Sequence, residues 1–148
     1  MKTLMLSILM MVSFSCKKEY KYFVSPQIQP YVKEYLKLMR DNGIKVKDQD
    51  FMIVFNSKMP LPSIAGYAYG MLKDDFVLIA INPIIWSGLN KQQKRTLIFH
   101  ELSHDLFDCL HTNDVHVMNP QLHGKLESLF NNTTKSDKEL IKYIKDAR

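Results

Sequence analysis

The sequence predicts an α+β domain: an N-terminal helix, a short, mostly antiparallel sheet, one long helix rich in histidine, and two C-terminal helices. Three observations support this. Apolar residues recur at helical spacing from Pro26 to Arg40 and again around residue 100. Between those stretches lie short apolar runs bounded by Gly, Pro and Asp, which read as strands. The order helix, strands, helix is of α+β type. A chain of 148 residues favours one domain with a modest core.

Residues 1–15 stand apart from that core. Lys2 supplies a short positive region, Leu4 to Phe14 an apolar one, and Ser13-Phe14-Ser15 the small residues before Cys16. This is the layout of a secretory signal, too short to span a bilayer as a stable helix. Cysteine directly after the small residue is similar to a bacterial lipobox, although Ser13 stands where Leu is usual. The resemblance implies that Cys16 is acylated and becomes the mature first residue, placing the chain in the cell envelope as a membrane-anchored lipoprotein facing the periplasm or exterior. The alternative is an ordinary secretory signal cleaved nearby. Residues 16–25 then form a tether and 26–148 the folded domain. Cys109 is left without an intramolecular partner and reads as a small buried hydrophobe.

Removing residues 1–15 takes one Lys from the 20 basic residues and leaves a net charge of +4 against 15 acidic residues. The excess is dispersed, with Lys17, Lys18 and Lys21 beside the anchor, near lipid headgroups. No basic stripe with interleaved aromatics appears, so a nucleic-acid partner is not expected. A monomer is expected.

Each element has its own signal. Pro26 to Arg40 carries Ile28, Tyr31, Val32, Tyr35, Leu36 and Met39 on one helical face, with Ser25 as N-cap and Asn42-Gly43 as the stop. Phe51 to Phe55 reads as a buried strand, and Lys58 to Pro62 as a loop. Ile64 to Met71 reads as a strand in which Gly66 and Gly70 mark a bend or a close backbone approach. A Lys73-Asp74-Asp75 turn leads to Phe76–Ile81, and the two strands are close enough to form a hairpin. Asn82 to Gly88 is a connector whose Trp86 covers the sheet. Asn90 caps the long helix from Lys91. Gln121–Phe130 and Lys138–Ile144 read as two further helices, separated by Asn131 to Thr134.

The long helix carries the chemistry. His100 and His104 are four residues apart, so one face presents both imidazoles about 6 Å apart along the axis. Neutral imidazole suits zinc, and Glu101 lies beside the pair as the general base of an H-E-x-x-H motif. Composition alone can produce such a triplet. Thr96 to Phe99 before it, and Leu102, Leu106 and Phe107 after, instead form the apolar context of a buried helix.

A catalytic zinc site needs a third protein ligand. His111 is preferred, with Asp108, Asp114 and Glu127 as alternatives. For His111 to serve, the helix must end soon after His104 and the chain must fold back. Asp108 tolerates the left-handed conformation such a reversal needs. If it is not a ligand, Asp108 is the candidate to orient a ligating imidazole. His116 and His123 read either as surface residues or as groups that bind substrate or oxyanion.

The segment His100 to Pro120 resembles the metzincin-like zinc metallopeptidases, whose pattern is H-E-x-x-H-x-x-G-x-x-H followed by a methionine turn. Here it runs H-E-L-S-H-D-L-F-D-C-L-H, then Val115-His116-Val117-Met118-Asn119-Pro120. It is closer still to small bacterial secreted proteins with H-E-L-G-H-C, a later His and an Ile-Met-x-Pro turn. The third His comes one position late, Phe107 replaces Gly, Asp105 is charged where an uncharged residue is usual, and Ser103 replaces the common Gly. The resemblance implies a small zincin-like domain, Zn2+ held by His100, His104 and His111, Glu101 as base, and Met118 as the turn methionine. The expected activity is hydrolysis of peptide or protein substrates by water activated on the metal. An extended substrate would lie along the edge of the Ile64–Met71 strand, with Tyr67 or Tyr69 facing it. Two other readings compete: a non-enzymatic lipoprotein that binds a partner or metal, and a zinc hydrolase of a non-peptide amide bond.

Overall fold

The structure is a computed structural model, and it describes residues 21–69, 76–112, 117–119 and 133–147. The fold is α+β. In chain order the elements are β1 (Tyr22–Val24), α1 (Gln29–Asp41), β2 (Asp50–Phe55), β3 (Gly66–Ala68), β4 (Phe76–Ile81), α2 (Pro83–Gly88), α3 (Lys91–Phe107) and α4 (Thr133–Asp146). The expected Gln121–Phe130 helix lies outside the described residues.

The strands form one sheet in the order β1-β2-β4-β3. β1 and β4 both run parallel to β2, and only β3 is antiparallel, paired with β4. The expectation of a mostly antiparallel sheet is therefore corrected. The hairpin of β3 with β4 forms as expected, and the parallel pairs arise elsewhere. Helix α1 carries the chain back so that β2 lies alongside β1 in the same direction, as a helical crossover does. Residues Tyr22–Val24, expected to be tether, supply the edge strand β1, and Ser25 N–H continues the pairing to the Ile53 carbonyl at 3.0 Å.

Alternation along the strands gives the sheet two different faces. Phe51, Ile53, Val77, Ile79 and Ile81 are buried, whereas Met52 and Phe23, paired on the other face, are exposed. The buried face meets α1 and α3. From α1 come Val32, Tyr35 and Met39; from α3 come Ile98, Phe99 and Leu102. The Tyr35 ring meets Phe99 edge-on at 5.0 Å, which locks the two helices together.

Helix ends follow local chemistry. Asn90 and Gln93 form a reciprocal capping box at the start of α3. The start of α1 differs from the expected Ser25 cap: regular helix begins at Gln29, and a turn closed by the Ser25 carbonyl precedes it. Gly43, at φ 71°, ends α1 in the conformation glycine tolerates best. The Asn82–Gly88 connector is the short helix α2, capped by the Asn82 side chain on Ile84 and Ile85 N–H. Its Trp86 packs edge-on to Phe55 at 5.6 Å, over the sheet. Among the described residues no helix is long and apolar enough to cross a membrane.

Candidate metal centre

Helix α3 stops where the histidines require it to. Asp108 adopts the left-handed conformation (φ 50°, ψ 30°), its N–H reaching the His104 carbonyl and the Cys109 N–H the Ser103 carbonyl. These bonds satisfy the last carbonyls of the helix and reverse the chain. Tyr143 of α4 then donates its hydroxyl to the Leu110 carbonyl at 3.2 Å, fixing the residue before His111. Thr112 N–H donates to the Met118 carbonyl at 3.1 Å, which closes the loop.

The result is a triangle. The Nε2 atoms of His100, His104 and His111 lie 3.0–3.1 Å from one another. The second nitrogen of each helix histidine faces a carbonyl: His100 Nδ1 is 2.7 Å from Val117 O, and His104 Nδ1 is 2.5 Å from Cys109 O. A carbonyl can only accept, so both Nδ1 atoms carry the proton and both Nε2 atoms present lone pairs to the centre. Two inward lone pairs, with the His111 Nε2 as the third nitrogen facing the same point, attract a cation. Nitrogens held about 2.0–2.1 Å from a tetrahedral zinc lie about 3.3 Å apart, within a few tenths of the observed sides. The donor set fits a divalent transition ion.

Electrostatics keep the imidazoles neutral. Burial pushes His100 down to about 3, and the neighbouring His104 and His111 reinforce this against the Val117 hydrogen bond. Burial likewise lowers His104 and His111. His100 is buried, His104 half-buried and His111 exposed, so the triangle opens to solvent on the His111 side.

Glu101 is only 5% exposed. Burial pushes its carboxyl up to about 8, with Asp105 adding to the rise and a hydrogen bond from the Ala68 backbone opposing it. Gly66 explains how Glu101 fits. A Cβ at that position would lie 2.6 Å from Glu101 Oε1 and 2.8 Å from Cδ and Cγ. The carboxylate occupies the space a side chain on β3 would fill. The expected close backbone approach is thus found at Gly66; Gly70 lies outside the described residues.

Two departures from the peptidase pattern have structural partners. Ser103 Oγ is fully buried, donating to the Phe99 carbonyl at 2.7 Å and hydrogen-bonded to Tyr35 OH at 2.8 Å. Asp105 is buried and accepts from Leu78 N–H at 3.4 Å, tying the last turns of α3 to β4. Met118 is fully buried in the core, directly after the carbonyl that holds His100.

Asp108 does not orient an imidazole. That task falls to the carbonyls of Val117 and Cys109, while Asp108 Oδ1 is buried without a hydrogen-bond partner and burial raises its pKa. The side chain lies outside the three-histidine group as well. Asp114, His116, His123, Glu127 and Cys16 fall outside the described residues. Sequence reasoning missed the two carbonyl acceptors, which carry no side-chain signal. It marked Gly66 as a close approach but not its partner Glu101.

Comparison with known proteins gives no match. No family model, no curated protein and no solved structure corresponds to the chain. The site must be read from its own geometry.

Proposed function

We propose that this chain is a zinc-dependent hydrolase of peptide bonds, anchored outside the cytoplasm through Cys16. The observation that carries the reading is the convergence of three Nε2 atoms beside a buried glutamate that packs under an edge strand. His100, His104 and His111 would hold the ion, which when bound supplies Lewis acidity toward a substrate carbonyl and lowers the pKa of water.

The remaining steps belong to the chain. Glu101 is the neighbour of His100 and lies three residues before His104, so its carboxylate borders the same helical face. In its ionised form it takes a proton from water as the water oxygen bonds to the scissile carbon. The C–N bond then breaks, and the same carboxyl returns the proton to the leaving amine. β3 positions the substrate. It is an edge strand: Ala65, Tyr67 and Tyr69 pair with β4, the Ala68 N–H is taken by Glu101, and the Gly66 N–H and carbonyl and the Ala68 carbonyl are left facing outward. An extended peptide adds there by main-chain hydrogen bonds. Tyr67 and Tyr69 stack edge-on at 4.8 Å on the exposed face of the sheet, where they would flank it.

The test combines metal analysis with cleavage of a mixed peptide library. Wild type should bind one zinc per chain and cleave peptides. Glu101→Gln should keep the zinc and lose at least about 100-fold in kcat, the scale of general-base catalysis. His111→Ala should lose most of its affinity for zinc. Zinc retention with no cleavage by wild type would favour a metal-binding lipoprotein, and cleavage of amides other than peptides would favour the third reading.

A further inference from the structure

A second recess lies at the other edge of the sheet. It is bounded by the start of β1, the start of β2, the C-terminal end of α1 and residues 43–49, and is an open cleft of about 650 Å3. That is within the usual size of a small-molecule site. Three strand spacings, about 14 Å, separate β1 from β3 and the histidine side of the sheet.

The recess has two chemical zones. Its wall is apolar: Ile44 and Phe51 are buried, and Leu36 and Val46 are half-buried. Its rim carries Lys21, Arg40, Lys45 and Lys47, against Asp48 as the one acid among the lining residues. Asp50 lies close by, accepting from the Lys21 backbone N–H at 2.8 Å. Among the described residues no carboxylate pairs with the Lys21 ammonium or the Arg40 guanidinium. The Lys21 ammonium and the Arg40 guanidinium at this concave mouth raise the local concentration of anions, and the aliphatic stems of the four basic residues extend the apolar wall. An apolar wall alone would not distinguish the sign of a ligand's charge; this rim does.

We propose that this recess binds a single-chain amphiphilic carboxylate, with its head at Lys21 and Arg40 and its hydrocarbon body against Ile44 and Phe51. Neither half is sufficient. A short carboxylate lacks the body to fill the recess, and a cationic amphiphile meets repulsion at the rim.

The test is calorimetric titration of the full chain with dodecanoate below its micelle-forming concentration, beside acetate and dodecyltrimethylammonium. Dodecanoate should bind one to one, and each of the other two at least about 10-fold more weakly, as expected when either the apolar or the charged contribution is lost. Arg40→Glu combined with Lys21→Glu changes only exposed side chains and should weaken dodecanoate at least about 10-fold. Val46→Trp, which fills the recess, should weaken it similarly. Both variants should keep the wild-type circular dichroism and metal stoichiometry. Failure of dodecanoate to bind would overturn the proposal. So would equal binding of acetate or the cationic amphiphile, or affinity unmoved in either folded variant.

Discussion

Gly66 is glycine because Glu101 occupies the volume of its missing side chain. Gly66→Ala brings a methyl group to 2.6 Å from Oε1, and the atoms in the way are the far end of one side chain. Glu101 should yield rather than the strand, so stability should fall by only about 1 kcal/mol. The displaced carboxylate should cost at least about 10-fold in kcat with zinc stoichiometry unchanged, since general-base efficiency depends on position. Metal analysis and peptide kinetics on the same preparation check both halves. Charge at this residue also has a pH signature in the metal-free protein. Folded Glu101 titrates near 8 and unfolded Glu near 4.5, so between them the folded chain holds more protons and stability falls as pH rises. His100 works the other way: folded near 3 and unfolded near 6.5, it makes stability fall as pH drops through that window. Glu101→Gln should therefore remove the alkaline decline and leave the acid one. Thermal midpoints measured in chelator across both windows would reveal it.

Among the elements, the end of α3 decides whether three histidines can meet. Asp108 holds a left-handed backbone that costs a non-glycine residue about 1 kcal/mol, and it also buries an unpartnered oxygen. Asp108→Gly should relieve both and raise stability by about 1 kcal/mol with metal affinity preserved. Asp108→Ala keeps the Cβ cost and should gain less. Calorimetric unfolding and zinc titration of the two variants test this directly. The reversal was readable from the sequence, because the reach of a straight helix forbids His104 and His111 from sharing an ion. The Asn90 cap, and Asn42 with Gly43, were readable for similar reasons: each is a local backbone requirement met by particular side chains. Strand order was not. β1 is three residues with two exposed aromatics, a pattern indistinguishable from tether, and hydrophobic periodicity carries no information about which strand lies beside which. The six-residue α2 was also hidden, being shorter than two helical turns. The carbonyls of Val117 and Cys109 that set the imidazole tautomers belong to the backbone, and only the folded chain reveals which carbonyl faces which ring.

Across the whole molecule, one buried cation connects the outer helices to the three-histidine cluster. Arg95 of α3 is 7% exposed, donating Nε–H to Glu34 of α1 at 2.7 Å and both terminal nitrogens to Asp137 of α4 at 2.9 Å. Its guanidinium also lies 4.0 Å from the centre of the Phe99 ring. Helix α4, held in this way, presents Tyr143 to the Leu110 carbonyl, one residue before His111. Stability and metal affinity are therefore linked through α4. Arg95→Ala leaves Asp137 without its two donors and should cost about 2 kcal/mol, less than for a fully buried pair because Asp137 is only half-buried and Glu34 is exposed. Tyr143→Phe removes the hydrogen bond to the Leu110 carbonyl and should cost about 1 kcal/mol. Both loosen the segment that presents the third imidazole, so zinc affinity should fall in each, by roughly 10-fold in Arg95→Ala and by less in Tyr143→Phe. The reciprocal follows from mass action: saturating zinc stabilises by RT ln(1 + [Zn]/Kd), so it should stabilise these variants less than it stabilises wild type at the same free zinc. Unfolding midpoints with and without zinc, beside direct zinc titration, measure both sides of that relation. Affinity unchanged in Arg95→Ala despite the lost stability would mean that α4 supports the core alone and that His111 is held by its own loop.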